Sequence, residues 1–282
     1  MQWRGRRESS NVEDRRGMKT AGAIGGGTII IAIIYALLGG DPNVILNSGG
    51  QQQQVTSDEQ YPAQKDEASQ FVRVVLADTE DVWSKVFAEQ GRSYTNPKLV
   101  LFSDRVQSAC GVAGSSVGPF YCPADQKVYL DLGFFSEMAT SLGASGDFAQ
   151  AYVIAHEVGH HVQNQFGISE ALQAKRSSLS ETEFNKESVQ VELQADCLAG
   201  IWAKDTNDMK KILDEGDVEE AMNAASSVGD DKLQKASRGY VVPDSFTHGS
   251  SAQRMAAFNQ GFTSGSISAC NLGGGQARNA TR

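Results

Sequence analysis

Residues 20–40 carry no formal charge, and through them runs Thr28-Ile29-Ile30-Ile31-Ala32-Ile33-Ile34-Tyr35-Ala36-Leu37-Leu38. As a helix rising 1.5 Å per residue, this stretch covers a hydrocarbon core of about 30 Å. A core helix would carry a polar stripe, and none is present. A cleaved signal peptide would have a shorter apolar run and a small-residue cleavage site, for which Leu37-Leu38-Gly39-Gly40-Asp41-Pro42 is a poor match. The expectation is a single-pass anchor over 20–40. Arg4, Arg6, Arg7, Arg15, Arg16 and Lys19 precede it, so residues 1–19 are expected in the cytoplasm and everything after residue 41 outside it. Gly22 and Gly26 form a small-xxx-small pair through which two anchors of a homo-oligomer could pack.

Beyond the anchor, residues 41–64 are rich in Gly, Gln, Ser and Asn, with a Gln run at 51–54, and read as a flexible linker. Residues 65–272 form the expected domain and 273–282 a disordered tail. The 282-residue chain carries a net charge of −9, which argues against nucleic acid as a partner, because phosphate binding needs a basic surface.

Within the domain, apolar spacing at Phe71, Val74, Val75, Val82, Val86 and Phe87 predicts a helix from Ala68 to near Gly91. Lys98–Phe102 and Lys127–Leu132 read as strands, and residues 110–123 as a loop or hairpin closed by cysteines. Further helices are predicted over 148–166, with Asp147 as N-cap, and over 181–204, 218–227 and 251–259. Strands first and helices behind give an α+β domain.

The 148–166 helix contains His156-Glu157-Val158-Gly159-His160. A spacing of i and i+4 puts both imidazoles on one face, within reach of one metal ion, and Glu157 beside them within reach of a water on that ion. Imidazole suits Zn²⁺, and a catalytic zinc takes a third protein ligand plus water. A metzincin site would need Gly at 163 and His at 166, where this chain has Gln163 and Phe166. Glu192 and Asp196, again i and i+4, stand on a helix among Ala, Leu, Ile and Trp. Two carboxylates facing a core need partners. A zinc ion for Glu192 and a ligand histidine's N–H for Asp196 would supply them.

His156-Glu157-Val158-Gly159-His160-His161-Val162-Gln163, taken with Glu192-Leu193-Gln194-Ala195-Asp196-Cys197, resembles the bacterial neutral zinc metallopeptidase family and, more distantly, gluzincins with an E-x-x-A-D second motif. Gly5–Ser9, Asn11–Arg16, Gly118–Pro123 and Pro243–Gly249 also look like family motifs. The resemblance implies a zincin-like peptidase fold, one Zn²⁺ on His156, His160 and Glu192, Glu157 as catalytic carboxylate, and a bacterial membrane location with the domain periplasmic or extracellular.

On that reading Glu157 is general base toward a peptide or protein substrate. His248 is the candidate oxyanion stabiliser, with capping of the following helix as its alternative role; Tyr121, Tyr129 and Tyr240 are weaker candidates. Arg254 could hold Asp196 or substrate, with structural pairing the expectation, and His161 is expected to lie behind the metal ligands or on the surface. Strand 127–132 is the candidate cleft edge for an extended substrate. In an oxidising space, Cys110–Cys122 with Cys197–Cys270 is the simplest of three connectivities. The competing functions are a non-catalytic binding or scaffold module and a zinc amidase acting on cell-wall peptides.

Overall fold

The computed structural model describes residues 1–17 and 66–272. The expected anchor over 20–40, the linker and the C-terminal tail lie outside them. Among the described residues no helix is long and apolar enough to cross a membrane.

The architecture is α+β. A four-stranded mixed sheet has the order β1 (Val12–Asp14), β2 (Lys98–Phe102), β6 (Lys127–Asp131), β5 (Phe120–Cys122). β1 and β6 both run parallel to β2, while β5 runs antiparallel to β6. Between β2 and β5 in sequence, β3 (Arg105–Ser108) and β4 (Gly111–Gly114) form a separate hairpin, and Cys110, in the turn that joins them, is bonded to Cys122.

Eight helices are described: α1 (Glu67–Glu89), α2 (Gly133–Ser141), α3 (Asp147–Gln165), α4 (Ile168–Lys175), α5 (Glu181–Lys210), α6 (Asp217–Ser227), α7 (Asp230–Arg238) and α8 (Ser251–Ser264). Capping boxes start three of them, at Asp66/Ser69, Ser180/Glu183 and Ser250/Gln253. The α3 cap differs from expectation. Gly146, at φ 114°, holds the cap position and Asp147 is already helical. A side chain there would be strained by the positive φ and would displace the Glu220 carboxyl group, which a Cβ on Gly146 would meet at 2.0 Å.

α3 is the central helix, apolar nearly all round, with Phe148, Tyr152, Ile154, Ala155, Val158 and Val162 buried. Helices α1, α5 and α6 enclose it, and Trp202 of α5 stacks on Phe148 at 5.8 Å.

The first residues are part of this body, which corrects the expected division at residue 19. β1 pairs with β2, and Trp3 is buried edge-on against Phe71. The arginines among residues 1–17, read as a cytoplasmic signal, are counter-ions within the fold. Arg6 pairs with buried Asp78 at 2.5 Å, Arg7 with buried Glu80 at 2.9 Å, and Arg16 with Asp66 at 2.7 Å. A single bilayer crossing between residues 17 and 66 would put about 30 Å of hydrocarbon between groups that are bonded here.

A second correction concerns strand 127–132. β6 is bonded to β2 along its length and to β5 over Lys127–Tyr129, so it is an inner strand over most of its length and not an edge. The edge nearer the central helix belongs to β5, which packs on α3.

Candidate metal centre

His156 and His160 project from consecutive turns of α3, and Glu192 meets them from α5. His156 Nε2 lies 3.2 Å from one Glu192 oxygen, and His160 Nε2 lies 3.5 Å from the other. The three ligand atoms lie within 4.8 Å of one another. Tetrahedral zinc with bonds of 2.0–2.1 Å needs donors about 3.3 Å apart. Both the spacing and the two-imidazole, one-carboxylate donor set fit that ion.

The approach of α5 to α3 depends on a residue inside the motif. A Cβ on Gly159 would stand 3.1 Å from the Ala195 carbonyl oxygen and 3.3 Å from its Cα. The small residue between Glu157 and His160 therefore lets the backbone between Glu192 and Asp196 come close.

Each histidine has its other ring nitrogen occupied. His156 Nδ1 donates to Asp196 Oδ1 at 2.8 Å, because a carboxylate only accepts. His160 Nδ1 lies 2.9 Å from Gln163 Oε1. Both arrangements leave Nε2 bare for a cation. Asp196, fully buried, also accepts from Tyr152 Oη at 2.5 Å and from Arg254 through Nε at 2.8 Å and Nη2 at 2.9 Å. Arg254 thus pairs with Asp196 as expected. Tyr152 was not foreseen, although it stands one helical turn before His156 on the same face.

These contacts set the electrostatics. Burial works against the Asp196 charge, but Arg254 and then His156 outweigh it and hold its pKa at about 2. Burial likewise disfavours charge on His156, yet Asp196 and Glu192 keep its pKa near 10 when no cation competes. Glu192 stays well below the usual carboxylate range despite desolvation, chiefly through His160 and then His248. Glu157 moves the other way: it is buried, and desolvation raises its pKa against the opposing pull of the two imidazoles.

His248 lies on the loop between α7 and α8, with its side chain 51% exposed. Its Nδ1 is 2.9 Å from Thr247 Oγ1 and 3.4 Å from Asp230 Oδ1. Desolvation opposes its protonation, but the Glu192 carboxylate, followed by Asp230, raises its pKa. Ser250, not His248, caps α8.

The tyrosine candidates are committed elsewhere. Tyr121 Oη bonds to His161 and Asn164, Tyr129 Oη donates to Asp125, and Tyr240 is exposed beside Arg238. His161 is not at the surface. It is fully buried, donates Nε2–H to the Thr95 carbonyl at 2.7 Å, and accepts from Tyr121 at Nδ1. Both expected disulfides, Cys110–Cys122 and Cys197–Cys270, are present.

Comparison with known proteins shows the family of the chain. The family described as "Putative neutral zinc metallopeptidase" matches residues 1–272, and the chain belongs to it. The chain is 46% identical over 285 residues to the uncharacterized protein YpfJ of Escherichia coli (strain K12), covering 97% of this chain and 99% of that protein. It is 38% identical over 214 residues to the uncharacterized protein Rv2575 of Mycobacterium tuberculosis (strain H37Rv), covering 72% and 71%. No solved structure matches it. The family implies zinc, and its match begins at the first residue, in the segment that supplies β1.

Proposed function

We infer that the chain is a zinc-dependent peptidase that holds one ion on His156, His160 and Glu192. The observation that carries this reading is the spacing of 3.2 and 3.5 Å between the ligand atoms, with a buried carboxylate, Glu157, on the same turn as His156. A bound Zn²⁺ supplies Lewis acidity, lowering the pKa of water to ~7 and polarising a substrate carbonyl.

The chain's own groups do the rest. Glu157 takes the proton of the attacking water and passes it to the leaving amine, and its desolvated carboxyl has the raised pKa that such two-way transfer favours. Asp196 and Gln163 keep both imidazole Nδ1 protons in place. His248, protonated more readily beside Glu192 and Asp230, is the donor proposed for the oxyanion.

Two disulfides favour an oxidising, extracytoplasmic compartment for the domain. If residues 20–40 meet a bilayer, both of their flanks stay on the domain's side, since residues 1–17 belong to it.

The test compares the wild type with Glu157→Gln on a peptide library and on peptidoglycan fragments, with zinc measured in the same samples. The expected result is retained zinc and peptide hydrolysis reduced about 10²- to 10⁴-fold. Equal turnover by both proteins would remove Glu157 from the chemistry. Cleavage of the cell-wall fragments alone would make the enzyme an amidase.

A further inference from the structure

The two histidine ligands are oriented differently. His156 leans on a carboxylate, whereas His160 leans on a chain of neutral amides that ends at a disulfide. Its Nδ1 faces Gln163 Oε1 at 2.9 Å. Gln163, fully buried, donates Nε2 to the Val191 carbonyl at 2.7 Å and to Gln194 Oε1 at 2.9 Å. Gln194 then donates Nε2 to the Cys270 carbonyl at 2.8 Å, and Cys270 is crosslinked to Cys197 on α5.

The far end fixes the polarity of this relay. Backbone carbonyls only accept, so Cys270 and Val191 compel both amides to present nitrogen to them. That leaves Gln163 Oε1 to accept from His160, which puts the imidazole proton on Nδ1 and the lone pair on Nε2, the atom beside Glu192. A flipped or displaced Gln163 would offer an N–H to Nδ1 and favour the tautomer that cannot bind a cation through Nε2.

We propose that Gln163 and Gln194 are positioning residues for the metal centre and that the Cys197–Cys270 crosslink locks their relay, coupling the C-terminal segment to zinc affinity. This rests on His156, His160 and Glu192 being the zinc ligands. Ile267 and Leu272 are also buried, so the segment keeps some anchorage without the disulfide, and its loss has a smaller effect than loss of Gln163.

The experiment titrates Zn²⁺ against a chromophoric chelator in the full chain. The proteins are wild type, Gln163→Leu, Gln194→Leu, their double variant, and Cys197→Ser/Cys270→Ser. Visible spectra of the Co²⁺ forms and melting of the metal-free proteins are recorded alongside. The expected result is zinc affinity about 10- to 100-fold weaker in Gln163→Leu, because it strips a ligand of its orienting partner. Gln194→Leu and the serine pair shift the same way, the Co²⁺ bands change, and the double variant is no weaker than Gln163→Leu alone. If Gln163→Leu does not fold, Gln194→Leu, which touches no ligand, decides the matter. Affinities within twofold of wild type for Gln194→Leu and the serine pair overturn the proposal, as do additive effects of the two glutamine changes. A wild-type chain that takes up no zinc would instead overturn the ligand assignment beneath it.

Discussion

Arg254 grips Asp196 with two nitrogens from a helix 58 residues further along the chain, Nε at 2.8 Å and Nη2 at 2.9 Å, in a place where neither side chain reaches solvent. Asp196 in turn holds His156, so the last described helix braces a residue of the candidate metal site. Arg254→Ala removes the arginine counter-ion of a buried carboxylate, which keeps only Tyr152 and His156, and a loss of about 3–5 kcal/mol is expected in urea unfolding of the metal-free protein. A loss under about 1 kcal/mol would mean that the pair carries no such role.

The seat of Arg254 depends on two helices in close contact. A Cβ on Gly261 of α8 would stand 1.8 Å from the Cys197 carbonyl oxygen, and one on Gly200 of α5 would stand 2.1 Å from that of Phe258. Both obstacles are backbone and cannot rotate away. Gly261→Ala should therefore cost about 3 kcal/mol or more, the upper part of the range for overpacking, and weaken zinc binding along with stability. Thermal melts with and without zinc measure both, and an unchanged melting temperature would contradict the packing described.

Trp3 tests whether the first residues belong to the domain. It is 7% exposed and lies edge-on to Phe71 of α1. Trp3→Ala should cost about 3–5 kcal/mol in the full chain, as for other large aromatic residues removed from a core. A chain that crosses a bilayer between residues 17 and 66 would show no change in the stability of its domain.

The loop that carries His248 is tied to one carboxylate oxygen. Asp230 Oδ2 accepts the backbone N–H groups of Thr247, His248 and Gly249 at 2.8, 2.7 and 2.9 Å. Burial opposes the charge, but His248 and these amides outweigh it and lower the pKa. A lowered pKa in the folded state stabilises above the unfolded value of about 3.9 and ceases to do so as pH falls through the folded value. Asp230→Asn should therefore be less stable than wild type at pH 7, and the gap should close below about pH 4. A gap independent of pH would show that charge is not what holds the loop.

Much of the site could be read directly because helical spacing is rigid. Once His156 and His160 stood at i and i+4 and Glu192 and Asp196 did likewise, two rigid faces had only to meet, and the apolar setting of the second pair indicated what it met. Of the two roles open to Arg254, Asp196 or substrate, the structure shows the pairing with Asp196. Tyr152, Gln163 and Gln194 were missed because their polar side chains have many other ordinary uses; the available signal was position, one turn before His156 and one turn after His160. The topology was harder. Nothing in the alternation of 127–132 distinguishes an inner from an edge strand. The arginines of 1–16 resembled a membrane signal because their partners, Asp78, Glu80 and Asp66, lie some 50 to 73 residues away in sequence. α2, α4 and α7, at eight or nine residues, are too short for apolar spacing alone to mark them as helices.

The most direct test of the whole account is the zinc content of the purified full chain, measured by elemental analysis after dialysis against metal-free buffer, for wild type, His156→Ala and Glu192→Ala. One zinc per wild-type chain and nearly none in either variant is the predicted result. A wild-type chain without zinc, or Glu192→Ala retaining a full equivalent at wild-type affinity, would contradict it.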